Sequence, residues 1–294
     1  MIGRGARLCA HGDRTNKMLQ FLVIAALGYG GVVASLYLAQ GWLVFPGSGL
    51  SYGAGRGPLL AEPVELEVGA GVSLHGRVFR SEGADDLVIG FGGNAQDAEL
   101  LGQDLAARLP HAHVAVFHYR GYGPSEGEPS EAALLEDALS IHDHLTARLR
   151  PGRTFAVGVS LGSAVATFLS KHRRLDGLVL VTPFDSIEAI ARESYPWIPV
   201  GLLLKHRFPS HEFVAGNPTP VAVIAAAEDR TVRPERTRAL IEQIETLVYE
   251  ATVEDATHNT ILALDGYDAA FREAFAALDA AARPRLHGET RATH

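Results

Sequence analysis

Short apolar runs alternate with amphipathic runs of helical spacing along most of this chain. Four of the apolar runs are continuous, at 87–89, 155–157, 178–181 and 221–226. Strands that are buried on both faces have this composition, and strands that alternate with helices form a mostly parallel sheet with helices on both sides. The sequence therefore predicts an α/β fold.

The predicted sheet has eight strands, at 64–68, 73–80, 87–91, 113–118, 154–157, 178–181, 221–226 and 246–253. Helices are predicted at 96–109, 130–149, 161–172, 234–244 and 259–278. Residues 183–219 are too many for an ordinary connection between two elements. They predict a small helical cap whose apolar segments either line a substrate pocket or pack on the sheet.

No charged residue occurs in 18–39. As a helix this stretch would extend about 33 Å, which is enough for the hydrocarbon core of a bilayer. We therefore predict a transmembrane anchor. The alternatives are a cleaved signal peptide, for which Val32-Val33-Ala34 offers a small-residue site, and a buried helix.

Basic residues precede the apolar stretch and none follows it closely. Arg4, Arg7, Arg14 and Lys17 stand before it with a single acid, and the next charged residue after it is Arg56. The positive-inside tendency therefore predicts that residues 1–17 form a cytoplasmic tail and that the rest of the chain is extracytoplasmic. We expect a Gly- and Pro-rich linker at 40–61, a catalytic domain at 62–282 and a C-terminal tail at 283–294.

The charge balance and the cysteine content exclude several classes of site. The formal net charge is −8 and the isoelectric point is near 5.9. Such a chain offers no basic surface for phosphates, so nucleic acid is not an expected partner. The single cysteine, Cys9, lies in the predicted tail, so the catalytic domain has no disulfide, cysteine metal site or thiol nucleophile.

The pentapeptide Gly158-Val159-Ser160-Leu161-Gly162 joins a predicted strand to a predicted helix. A serine at such a turn, with a glycine two residues away on each side, is the nucleophile elbow, in which small residues let the backbone bend sharply. Residues 49–53 match the same pattern around Ser51, but Gly and Pro fill both flanks, so we reject Ser51. Ser160 is the predicted nucleophile.

Serine needs a base to take its proton, and the base needs a carboxylate to orient it. His258 follows the last predicted strand, whereas the alternative base, His118, precedes Ser160 and breaks the chain order of nucleophile, acid and histidine. Asp229 is the predicted acid because the carboxyl ends of strands deliver residues to the site crevice. Glu228 and Asp185 are the alternative acids, whereas Asp255 is close to His258 only in the sequence, which does not place the two side chains together.

An oxyanion intermediate needs two N–H donors, one from the residue after the nucleophile and one from the loop after the third strand. Leu161 and Asn94 occupy these positions, and Gly92 and Gly93 would let the backbone approach a ligand closely. A plain turn is the alternative for this loop. Acyl transfer by these residues requires no metal or organic cofactor.

Several segments together resemble one family, the α/β-hydrolases of the serine-aminopeptidase-like, bud-emergence-suppressor type, many of which have an N-terminal membrane anchor. The segment Tyr119–Glu131 is the most specific of them. The others are Gln40–Pro46, Gly93-Asn94-Ala95, the elbow, Thr182–Ser186, the turn around Asp229 and Thr257-His258-Asn259. The resemblance extends from about Gln40 onward. One departure is Gly92, where the family usually has histidine.

By this resemblance, Ser160, Asp229 and His258 form the catalytic triad, and Leu161 and Asn94 are the oxyanion donors. Family members hydrolyse lipid esters, acyl thioesters and small esters, and the fold does not decide among them. An anchor beside an apolar cap favours a lipid-like acyl ester or thioester. A peptidase would need an acid for the substrate amine, such as Glu188, Glu193 or Glu212. A catalytically silent membrane-anchored binding protein is the remaining alternative.

Overall fold

Eight strands form one sheet in the order β1-β2-β4-β3-β5-β6-β7-β8. The computed structural model describes residues 6–49 and 61–289, and of residues 6–15, 70 and 283–289 it describes the backbone only. Strand β2 runs antiparallel to its neighbours β1 and β4, and all other pairs are parallel. The predicted sheet of eight mostly parallel strands is confirmed. Ser51 and half of the predicted linker, residues 50–60, lie outside the described residues.

The strands are β1 Ala61–Val68, β2 Val72–Phe79, β3 Asp86–Phe91, β4 Ala112–Phe117, β5 Arg153–Val159, β6 Gly177–Val181, β7 Val221–Ala226 and β8 Leu247–Val253. The helices are α1 Ala6–Val44, α2 Ala98–Arg108, α3 Glu131–Leu149, α4 Leu161–His172, α5 Ile187–Ser194, α6 Val200–Leu203, α7 Ser210–Val214, α8 Pro234–Ile241 and α9 Asp265–Glu289.

Each face of the sheet has its own hydrophobic core, because side chains alternate along every strand. In β5, Phe155 and Val157 belong to the core beneath α2 and α9, whereas Ala156 belongs to the core beneath α3 and α4. A strand covered on both sides needs apolar residues at successive positions, which explains the continuous apolar runs.

Helix α1 is longer than the predicted anchor at 18–39. Its segment Asn16–Val44 is long and apolar enough to cross a membrane. The helix also continues through 40–44, which we had assigned to the linker, and the next residue, Phe45, is buried against Phe208 and His206. Packing of Phe45 on the cap explains why the chain stays ordered here despite its glycine.

The last helix also departs from its predicted bounds of 259–278. It begins at Asp265, after a loop and a short 3-10 turn at Ile261–Ala263, and it ends at Glu289. The hydroxyl of Thr260 accepts the backbone N–H of Thr257 at 3.0 Å and so stabilises the loop. The helix passes residue 283, where we predicted a tail, and residues 290–294 lie outside the described part.

The predicted cap is confirmed as three short helices, α5, α6 and α7, between β6 and β7. The carboxylate of Glu131, in the first turn of α3, accepts the backbone N–H groups of Arg207 at 2.6 Å and Phe208 at 3.0 Å. These bonds hold the cap to the helix layer. Burial raises the pKa of Glu131 despite the two donors.

Candidate active site

The predicted site residues lie at one edge of the sheet. Asn94 follows β3, Ser160 follows β5, Asp229 follows β7 and His258 follows β8. These strands are parallel, so their carboxyl ends meet at the same edge. Asn94, Ser160 and His258 line one cavity there.

Ser160 occupies the single residue between β5 and α4. Its backbone angles, φ 50° and ψ −115°, are ones that residues other than glycine rarely adopt. The N–H of Ser160 donates to the carbonyl of Val181 at 2.9 Å, and this bond holds the strained turn to β6. Strain of this kind persists where the surrounding structure enforces it, as at functional sites.

Both glycines of the pentapeptide are required by close backbone contacts. A Cβ atom on Gly158 would lie 2.4 Å from the carbonyl oxygen of Gly162. A Cβ atom on Gly162 would lie 2.1 Å from the carbonyl oxygen of Phe91. A side chain on Gly158 would therefore clash with the start of α4, and one on Gly162 would clash with the end of β3. The G-x-S-x-G pattern is explained by these two distances.

The imidazole of His258 lies between Ser160 and Asp229. Its Nε2 is 2.9 Å from Oγ of Ser160, and its Nδ1 is 2.7 Å from Oδ2 of Asp229. A carboxylate can only accept, so Nδ1 carries the proton and Nε2 is left to accept the serine proton. A hydroxyl, an imidazole and a carboxylate in this series can activate the serine as a nucleophile.

Asp229 is oriented by its own turn. Its Oδ1 accepts the backbone N–H groups of Thr231 at 2.9 Å and Val232 at 2.7 Å, which leaves Oδ2 for His258. The residue is buried. A buried carboxylate with several donors is held in one orientation, and it holds the imidazole in turn.

The alternative residues have other environments. Asp185, in the cap, contacts Nη1 of Arg236 in α8 at 3.0 Å, and Glu228 is exposed. Asp255 occupies a turn with φ 55°. His118 is buried, its pKa is lowered by that burial, and it is not among the described residues that line the cavity with Ser160.

The oxyanion candidates flank Ser160. Leu161 is the first residue of α4, so its N–H has no partner within the helix. Asn94 lies in the loop after β3, whose Gly93 is so near that a Cβ atom on it would be 3.5 Å from Cβ of Ser160. The nearest atom to a Cβ atom on Gly92 would also be 3.5 Å away, so no clash accounts for the glycine there.

Two tyrosines hold this loop. The hydroxyl of Tyr119 donates to the carbonyl of Gly92 at 2.8 Å, and that of Tyr122 donates to Oδ1 of Asn94 at 2.6 Å. Burial raises the pKa of Tyr119 well above its usual value. The segment Tyr119–Glu131 thus bears on the site by fixing the loop, a role that sequence reasoning did not assign.

The cavity over Ser160 has a volume of about 570 Å³, within the range of small-molecule sites. Apolar side chains from the cap and from the end of α1 form much of its wall, among them Phe184, Ile187, Ile190, Leu43 and Val44. Sequence reasoning missed the α1 residues because it ended the anchor at residue 39. The only signal for them was the segment Gln40–Pro46.

Among the side chains that the structure describes, in residues 16–49, 61–69 and 71–282, no three His, Cys, Asp or Glu are grouped so that they could hold a metal ion. The polar groups at the site are instead the hydroxyl, imidazole, carboxylate and backbone N–H groups described above. Groups of these types are the ones that acyl transfer requires.

A family described as "Alpha/beta hydrolase family" matches residues 74–288. The uncharacterized protein Rv2307c of Mycobacterium tuberculosis is 33% identical over 257 residues, which are 85% of this chain and 91% of that protein. The esterase Pf2001 of Pyrococcus furiosus has a similar fold, with a TM-score of 0.56 and 18% identity over 69% of this chain and 86% of that one.

Two further relatives match a smaller part of the chain. The lysophosphatidylserine lipase ABHD12 of Danio rerio is 34% identical over 140 residues, which are 41% of this chain and 36% of that protein. The uncharacterized membrane protein YNL320W of Saccharomyces cerevisiae is 34% identical over 164 residues, which are 52% of this chain and 57% of that protein.

Proposed function

Because the chain belongs to the alpha/beta hydrolase family, we propose that it is a serine hydrolase that cleaves carboxylic esters or thioesters with lipid-like acyl groups. The observation that best supports this is the hydrogen-bonded series from Ser160 through His258 to Asp229, at 2.9 and 2.7 Å. Each residue is the type that its role needs.

In the first step, Oγ of Ser160 attacks the carbonyl carbon while Nε2 of His258 takes the hydroxyl proton. Asp229 stabilises the resulting imidazolium through Nδ1. The N–H groups of Leu161 and Asn94 donate to the oxyanion of the tetrahedral intermediate. The bond to the leaving group then breaks, and His258 gives its proton to the departing alcohol or thiol.

The second step removes the acyl group from Ser160. A water molecule attacks the acyl-enzyme carbonyl while His258 takes a proton from the water. The bond from the acyl carbon to Oγ of Ser160 then breaks, His258 returns the proton to Oγ, and the carboxylic acid is released. This cycle needs no metal and no organic cofactor.

The lipid-like substrate class is supported by three independent features. The cavity wall beside Ser160 includes the apolar residues Phe184, Ile187 and Ile190. The helix that ends at this wall is long and apolar enough to span a bilayer. One relative is named a lysophosphatidylserine lipase. A nucleophile beside an apolar wall and a membrane helix suits a substrate that resides in the bilayer.

We further infer that α1 anchors the protein, as its length and a membrane-protein relative support. The basic residues before the span favour residues 1–17 in the cytoplasm and the catalytic domain outside. A cysteine-containing tag fused to each end of the chain, labelled with a membrane-impermeant thiol reagent, would distinguish the two orientations. Labelling of an N-terminal tag in intact cells would contradict the proposed one.

The peptidase alternative finds less support in the cap. Glu188 contacts Nη2 of Arg192 at 2.6 Å, and Glu193 contacts Nε of Arg236 at 3.1 Å. These acids are already neutralised, and neither is among the described residues that line the cavity with Ser160. Glu212 is exposed and also absent from that group.

The test is hydrolysis of an ester and thioester panel by the full-length protein in detergent. Ser160→Ala should lower kcat/KM by about three orders of magnitude or more, because the nucleophile is lost. Ser81→Ala, at the opposite end of the sheet, is the matched control and should retain wild-type rates. A well-folded wild type without activity on any ester, thioester or peptide would instead favour a silent binding protein.

A further inference from the structure

Given the serine hydrolase activity proposed above, we propose that the groove between α1 and the cap binds the acyl chain of a bilayer lipid, which reaches Ser160 without leaving the membrane. The anchor helix would then be one wall of the substrate site. Four properties support this. They are the contacts that join α1 to the cap, the apolar lining of the groove, its border with the cavity over Ser160 and its position along α1.

The attachment of α1 to the cap involves specific contacts. Oε1 of Gln40 accepts the backbone N–H of Lys205 at 2.8 Å, and its Nε2 donates to the carbonyl of Leu203 at 3.3 Å. The ammonium of Lys205 lies 4.5 Å from the ring centroid of Tyr37. Because these contacts join the last turns of α1 to the cap, the two elements form one groove with a defined shape.

The groove contains a cavity of about 270 Å³ whose walls are mostly apolar. Val33 and Leu36 line it from α1, and Ile198 and Leu203 line it from the cap. Among the described residues, no charged side chain lines it, and the amide of Gln40 is already paired with the cap backbone. An apolar chain is the ligand that such walls can stabilise.

This cavity adjoins the one over Ser160. Leu43, Val44, Ile187 and Ile190 line both. A chain that lies in the groove therefore ends at the four side chains that border the nucleophile. This adjacency suits an amphiphile whose acyl chain occupies the groove and whose ester carbonyl lies at Ser160.

The other end of the groove lies at the depth of the membrane span. The hydroxyl of Tyr29 donates to the carbonyl of Trp197 at 2.9 Å. Tyr29 precedes Val44 by fifteen residues, or about 22 Å of helix, so this part of the cap lies beside the middle of the apolar span. The side chain of Trp197 is 51% exposed there. Exposed apolar side chains at this depth would contact lipid rather than water.

A probe that reacts at one end and crosslinks at the other tests this arrangement. The full-length protein in phosphatidylcholine vesicles is treated with a fluorophosphonate whose hexadecyl chain ends in a diazirine, and the photoproducts are mapped by mass spectrometry. We expect the phosphonate on Ser160 and the crosslinks within 33–37 or 190–204. Phosphonate on Ser160 with crosslinks elsewhere would overturn the groove alone. Failure to modify Ser160 would overturn the proposed hydrolase.

A pair of variants provides a second test. Leu36 lines the groove, whereas Leu38, on the same helix, is 83% exposed. Leu36→Trp should lower kcat/KM for a hexadecanoyl ester by about tenfold or more relative to a butanoyl ester, because several methylenes lose their burial. Leu38→Trp should leave that ratio at the wild-type value. Equal ratios in the two variants would contradict the acyl-chain site.

Discussion

Nε2 of His258 lies 2.9 Å from Oγ of Ser160, although 98 positions separate them in the chain. The two residues follow β8 and β5, and the strand order β5-β6-β7-β8 places two strands between these elements. Asp229 follows β7 and approaches His258 from that intermediate position. The order of the parallel strands therefore brings Ser160, His258 and Asp229 into one series of hydrogen bonds.

Replacing Asp229 by Asn should remove activity without disturbing the turn. The remaining amide oxygen can still accept the N–H groups of Thr231 and Val232, so we expect the free energy of unfolding to fall by less than about 1 kcal/mol. The imidazole tautomer becomes wrong for accepting the serine proton, so kcat should fall by about four orders of magnitude. Ester hydrolysis and urea unfolding measure the two effects.

Glu228→Gln and Asp255→Asn are the matched controls for that variant, since both acids are close in sequence to a predicted site residue. Each should retain kcat within about twofold, as is usual for surface substitutions away from a site. Loss of activity in either control with retention in Asp229→Asn would reassign the acid.

Gly162→Ala should disrupt the turn that presents Ser160. The new methyl would lie 2.1 Å from the carbonyl oxygen of Phe91, a contact that requires backbone movement. Overpacking of this kind costs about 1–3 kcal/mol of unfolding free energy, and displacement of the turn should abolish phosphonate labelling as well. Gly92→Ala is the stability control because its methyl would meet ordinary contacts. Equal melting temperatures for the two variants would contradict this explanation.

Most of the fold was predictable because its signals are local. Runs such as 178–181 and 221–226 are short and apolar at successive positions, as a strand covered on both faces requires. The site could be predicted from chain order, since Ser160, Asp229 and His258 each follow a predicted strand. Their catalytic roles stay a proposal until they are tested.

The elements that were not predictable depend on tertiary contacts. Helix α1 continues to Val44 because its end packs on the cap, as the bonds from Gln40 to Leu203 and Lys205 illustrate. The start of α9 is delayed to Asp265 by a loop with its own threonine hydrogen bonds. Helix periodicity contains no information about either contact.

Removal of one partner from the ion pair of Arg120 and Asp137 should lower the stability more than removal of both. Nε of Arg120 donates to Oδ2 of Asp137 at 2.8 Å, and both side chains are largely buried. Asp137→Ala leaves a buried guanidinium without this partner and should cost about 3–5 kcal/mol in urea unfolding. Burial raises the pKa of Asp137, which indicates that desolvation opposes its charge even beside the guanidinium.

The double variant Arg120→Met with Asp137→Leu is the control for that prediction. Because it removes both charges, we expect it to recover most of the stability lost in Asp137→Ala. A double variant as unstable as the single one would mean that shape, not charge, accounts for the loss.

The ion pair of Asp143 and Arg173 should make the free energy of unfolding depend on pH. Two hydrogen bonds from Arg173, at 2.7 Å each, lower the pKa of Asp143 to about 2. A folded pKa below the unfolded one gives stability that is present above about pH 4 and is lost as the pH falls toward 2. Because Asp143 is half exposed, we expect Asp143→Asn to cost less than about 1 kcal/mol at pH 7.

Urea unfolding of wild type and Asp143→Asn at pH 7 and pH 3 measures this dependence. The difference in unfolding free energy should be smaller at pH 3. A difference that grows on acidification would contradict the assigned pKa direction.

The most direct test of the account is peptide mapping after reaction of the full-length protein with a small fluorophosphonate. We predict one modified serine, Ser160, in the wild type, and labelling slowed by about three orders of magnitude in His258→Ala, since the serine then lacks its base. Modification of another serine, or equal labelling rates in wild type and His258→Ala, would contradict the proposed triad.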